Sequence, residues 1–126
     1  MINESKPNEI IINDKPYHLD VIYDHQRRSI YKFGICGSPL RKNGNSPRLT
    51  AQLRSHNQPD KDIGIRFTGR ILKTDIKGII RAYIVEDDMV DFFRRKNNNQ
   101  LPRGNEGHLF LGRKYSYLLV KADEEE

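Results

Sequence analysis

A helical stripe with one charged member constrains this chain more than any other feature. Read at helical period, Thr74 to Lys96 sets Ile76, Ile79, Tyr83, Val90 and Phe93 on one face, with Ile80 and Ile84 beside them. The slot between Tyr83 and Val90 is held by Glu86. An ionised carboxylate in a core-facing stripe is expensive and needs a partner. Its own helix offers little: Asp87 and Asp88 are like-charged, and Arg81, five positions away, falls on a poorly matched face. Two readings follow. Glu86 is an edge residue that reaches solvent or an arginine, the commoner fate of such a group, or it is a metal ligand or acid/base group held on a rigid helix.

The length of 126 residues predicts one domain over 1–126, with 1–8 and 122–126 as flexible ends. The formal charge is +5, but four acids stand together at the end, Asp123 to Glu126, so the body before them carries +9. A body that basic favours a polyanionic partner. Cys36 is the one cysteine, which excludes a disulfide framework and a cysteine-based zinc cluster. His18, His25, His56 and His108 lie far apart with no zinc-site spacing. No apolar run approaches membrane-spanning length and MINESKPNEI has no signal-peptide core, so no membrane partner and a cytoplasmic location are expected.

In chain order, Glu9–Asn13 reads as a short strand before a turn at Asn13–Pro16. Tyr17–Tyr23 alternates, with Tyr17, Leu19, Val21 and Tyr23 on one face against His18, Asp20 and Ile22. Ile30–Cys36 does the same, and the two form a hairpin. The loop Gly37–Ser46 carries Arg41 and Lys42 and ends in a helix start, with Ser46 as N-cap and Pro47 at the first helical position. Pro47–His56 is then a helix with Leu49, Leu53 and His56 on one face and Arg48 and Gln52 on another. Ile63–Lys73 alternates as a strand, with Ile63, Ile65, Phe67 and Ile71 inward and Arg66, Thr68 and Arg70 outward. After the long helix come an irregular Leu101–Gly107 and a terminal β-hairpin, Leu109–Leu111 with Lys114–Val120, around Gly112. The class is α+β, a small antiparallel or mixed β-sheet flanked by helices with a C-terminal β-hairpin.

Val21-Ile22-Tyr23, a turn, and Lys32-Phe33-Gly34 resemble the paired strand signatures of the GIY-YIG nuclease superfamily. The resemblance continues through Arg48 on the next helix to Ala82-Tyr83-Ile84-Val85-Glu86, an Ala-x-x-x-Glu pattern that ends on the residue flagged above. It covers roughly Tyr17 to Asn105. The run YKFGICGSPLRKNGNSPRLTAQL with the later LPRGN looks closest to the GIY-YIG domains of bacterial toxins and restriction-like nucleases.

The resemblance implies a metal-dependent endonuclease that hydrolyses nucleic-acid phosphodiesters, with DNA preferred over RNA, and a cognate inhibitor protein if the domain is a toxin. Tyr23 would position or deprotonate the attacking water. Arg48 would neutralise charge on the phosphate. Glu86 would hold Mg²⁺ or Mn²⁺. Lys32 replaces the tyrosine of the second signature and is kept as a site candidate that can donate to phosphate. The trailing asparagine is read as Asn105. All four site candidates are expected on one concave face. Arg41, Lys42, Arg54, His56, Arg66, Arg70 and Asn105 are the candidates for nucleic-acid binding. The bland readings stand beside these. Tyr23 shares parity with Leu19 and Val21 and suits a core; His56 on a leucine face suits packing; the strand cations suit a solvated face. The alternative function is a non-catalytic nucleic-acid-binding module on the same fold.

Overall fold

Pro16–Asp24 (β1) and Ser29–Cys36 (β2) form the expected hairpin, in antiparallel register from His18 opposite Cys36 to Asp24 opposite Ser29. The computed structural model describes residues 15–58 and 65–119. The strand expected at Glu9–Asn13 and the ends 1–8 and 122–126 lie outside these. Phe67–Lys77 (β3) pairs antiparallel with the other edge of β1, giving the order β2-β1-β3. The architecture is the expected α+β one: a three-stranded antiparallel sheet with helices.

β1 is paired along both edges, and both of its faces are covered by helices. Leu19 and Val21 pack under Ala82 and Val90 of the long helix Ile79–Lys96 (α2). Ile22, on the opposite parity, packs with Leu49 of Pro47–Asn57 (α1) and with Phe67. The two helices therefore sit on opposite faces of the sheet. The start of α1 is built as its sequence predicts: Ser46 Oγ accepts the Leu49 amide at 3.2 Å and Pro47 opens the helix.

Three boundaries depart from expectation. The long helix does not begin at Thr74. Thr74–Lys77 ends β3, where Ile76 is buried opposite Tyr17, and Gly78 (φ 83°) breaks the chain before α2. Ile76 packs with Leu19 and Ala82, whereas Ile79 and Ile80 pack with Leu118, so the apparent single stripe serves two separate clusters. Second, β3 starts at Phe67, not Ile63. Ile63 lies outside the described residues, and Ile65, expected to point inward, is 72% exposed ahead of the strand.

The third departure is the terminal β-hairpin, which is not formed. A 3₁₀ turn, Arg103–Asn105, leads to a short helix, Leu111–Tyr115 (α3), with a further helical turn at 117–119. Leu111, Tyr115, Leu118 and Leu119 recur at helical spacing, and Leu118 packs with Ile80. Gly112 is the close-approach point: a Cβ there would lie 2.5 Å from the backbone of Ile84. Gly112 thus marks helix-on-helix contact and not a β-turn.

Candidate functional site

The sheet carries two buried aspartates on one strand. Asp24, at the end of β1, is fully engaged. It accepts a two-pronged bond from Arg66 at 3.0 Å per prong and bonds from the amides of Gln26 and Arg27, with Arg103 at 3.6 Å. The Arg66 bond, with help from those amides, holds its carboxyl below the ordinary value of 3.8. Arg66 is therefore a structural partner of Asp24.

Asp20, at the middle of β1, has a different environment. It is 5% exposed and accepts no hydrogen bond from a described residue. His18 Nε2 lies 3.8 Å from its Oδ2, and burial followed by the charge of Arg48 keeps that imidazole's pKa low. Burial raises the Asp20 carboxyl to about 6, while the charges of Arg48 and Lys32 pull against that rise. Arg48 stands in the first turn of α1 and donates from Nη1 to the Ile35 carbonyl of β2 at 2.9 Å. Lys32 pairs across the strands with Ile22 and so shares its parity, and its Cβ lies against Gly104 of the 3₁₀ turn. Neither cation forms a salt bridge with a described residue.

Glu86 approaches from α2. Burial raises its carboxyl above the ordinary range; His108 and Lys32 lower it again, and Asp87 and Asp20 add to the rise. It has no hydrogen bond or salt bridge to a described residue. Glu86, Asp87 and His108 each bring one donor atom within 4.8 Å of the others. Asp87 is committed elsewhere, with Oδ1 2.7 Å from His108 Nε2 and Oδ2 accepting the Arg113 amide at 2.9 Å. That leaves Glu86 as the carboxylate with open lone pairs. One carboxylate completed by water suits a hard oxygen-seeking ion such as Mg²⁺ or Mn²⁺ better than Zn²⁺.

Of the four site candidates, Lys32, Arg48 and Glu86 are linked through their charges around Asp20, which the sequence reading did not single out. Arg48 and Glu86 come from helices that pack on opposite faces of the sheet, and Asp20 lies within range of both charges. Tyr23 stands apart. It lies on the α2 side with its ring 4.9 Å from that of His25, in an open cleft of about 630 Å³ with Val21, Phe33, Arg70 and Met89.

The basic candidates divide too. Arg41, Lys42, Arg54 and Arg70 are exposed and without a salt bridge to a described residue. His56 packs its ring 5.2 Å from Tyr31 and 5.3 Å from Phe67, the packing role. Asn105 is buried and spends its amide on the β2 edge: Oδ1 accepts from Phe33 N at 2.8 Å and Nδ2 donates to Phe33 O at 3.0 Å. Its engagement is with backbone.

Fold and site together describe a small α+β domain with a charged cluster around its central strand. Residues 11–98, more than half of the chain, match the family described as URI fold toxin 2, and the chain belongs to that family. The URI fold is related to that of GIY-YIG-like nucleases. No curated protein and no solved structure gives a significant match. Among the described residues no helix is long and apolar enough to cross a membrane.

Proposed function

We propose that this domain is a metal-dependent endonuclease of GIY-YIG type, acting on DNA in preference to RNA. One observation carries the reading: Glu86 is a half-buried carboxylate on a rigid helix, unbonded among the described residues, and the charges acting on it include the uncommitted cation Lys32. Membership of a toxin family whose fold is related to such nucleases supports it.

In this reading Arg48 and Lys32 bind the non-bridging phosphate oxygens. Arg48 supplies a planar, permanent charge held in place by its bond to the Ile35 carbonyl. Glu86 holds Mg²⁺ or Mn²⁺, which when bound stabilises negative charge on the departing oxygen. Arg41, Lys42, Arg54 and Arg70 contribute charge along the nucleic-acid track without reading bases, so affinity falls steeply with salt and differs little between unrelated duplexes. As a toxin domain it is expected to have a cognate immunity protein, for which this basic surface is the natural docking face.

The test is nicking of supercoiled plasmid, alongside a structured RNA, with Mg²⁺ and with chelator. Cleavage of plasmid that requires the ion is the expected outcome. Salt-sensitive binding without cleavage in any ion establishes the non-catalytic binding module instead, and the absence of both removes nucleic acid as the partner.

A further inference from the structure

Resting on the nuclease reading, we propose that Asp20 accepts the proton of the attacking water. The carboxylate is more than nine-tenths buried and accepts no hydrogen bond from a described residue, which makes it an unused acceptor at the centre of the sheet. It stands opposite Gly34 of β2, where the absence of a side chain leaves it room: a Cβ at Gly34 would lie 3.1 Å from Oδ1. His18 lies 3.8 Å from it on its own strand, and the charges of Lys32 on β2, Arg48 on α1 and Glu86 on α2 are within range of it. His18, Asp20 and Ser46 do not form a relay to a serine nucleophile. The same nitrogen, His18 Nε2, lies 3.2 Å from Ser46 Oγ and 3.8 Å from Asp20, and Ser46 Oγ already accepts the Leu49 amide.

A phosphate seated on Lys32 and Arg48 has this carboxylate as its neighbour. Bare, that neighbour repels the phosphate; with a water between them it orients the nucleophile. As the water oxygen bonds to phosphorus, its proton passes to Asp20. The ester P–O bond breaks with its electron pair on the departing oxygen, which takes a proton from solvent. Asp20 then returns its own proton to solvent. Burial makes the carboxylate more basic than an ordinary one, yet it remains ionised at neutral pH, as a general base requires.

The experiment measures plasmid cleavage by the full chain with Mg²⁺ at saturating DNA from about pH 5 to 9, comparing the parent with Asp20→Asn and Glu86→Gln. The parent rate is expected to climb with pH and level off above about 6. Asp20→Asn is expected to lose about 100-fold or more in kcat and to lose that acid limb, with plasmid affinity within about threefold of the parent and no fall in melting temperature. An Asp20→Asn protein that keeps the rate and the limb, beside an inactive Glu86→Gln, overturns this assignment and leaves the nuclease reading standing. A parent that cleaves nothing overturns both. Asp20→Glu, which keeps the charge and moves it, covers the case of a misfolded Asn variant: reduced kcat at unchanged affinity supports the assignment, and full kcat overturns it.

Discussion

Asp20 and Asp24 lie four residues apart on one strand, both buried, and the protein treats them in opposite ways. Asp24 is wrapped by Arg66 and two turn amides, and its pKa is held down. Asp20 is left without a donor among the described residues, and its pKa is pushed up. A carboxylate whose hydrogen bonds are all made holds a fold together. One that folding has desolvated and left unbonded costs stability, and such groups cluster at functional sites. Glu86 belongs with Asp20 in this respect, and Asp87 with Asp24.

The contrast is broken most forcefully at Asp24. Asp24→Asn removes the buried charge that Arg66 and two turn amides bond, and is expected to cost about 3 kcal/mol or more at neutral pH by urea unfolding. A loss under about 1 kcal/mol removes its structural standing.

The two aspartates also give opposite pH signs. Asp24, with a depressed pKa, contributes stability above the ordinary carboxyl value of 3.8, and loses it as pH falls through its folded pKa. Asp20, raised to about 6, lowers stability as pH rises from 3.8 to about 6, because the folded state then binds more protons than the unfolded one. Asp20→Asn is therefore expected to gain on the order of 2 kcal/mol over the parent at pH 8, and almost nothing below the ordinary carboxyl value. A variant less stable than the parent at pH 8 reverses the assignment of Asp20.

A smaller effect sharpens the picture at the helix that brings Arg48 to Asp20. Ser46→Ala removes the N-cap of α1 and is expected to cost about 1 kcal/mol in thermal unfolding. A neutral Ser46→Ala shows that the cap does not anchor α1.

The hairpin, the cap and the α+β class were legible because each rests on short-range patterning: alternation, a Ser-Pro start, turn residues between strands. Asp20 was legible only as the polar face of a strand, opposite Leu19 and Val21. That face is buried because α1 packs over it, which no local pattern states. His108 was hidden for the same reason, since it reaches Asp87 across 21 residues of sequence. The terminal helix was missed because Gly112 resembles a turn signal and its close contact with Ile84 is tertiary. Tyr23 was placed by motif alone, and alternation along β1 sets it on the face away from Arg48.

The measurement that bears most directly on the account is the stability of the parent and of Glu86→Gln, each unfolded with and without Mg²⁺. A carboxylate that waits for an ion destabilises the ion-free protein, so Glu86→Gln is expected to unfold at the same or a higher urea concentration than the parent without Mg²⁺. The parent is expected to gain stability as Mg²⁺ is added, by about 2.7 kcal/mol at a hundred times its Kd, while Glu86→Gln gains nothing. A Glu86→Gln protein that is several kcal/mol less stable without the ion, and responds to Mg²⁺ as the parent does, makes Glu86 a structural residue and contradicts the account.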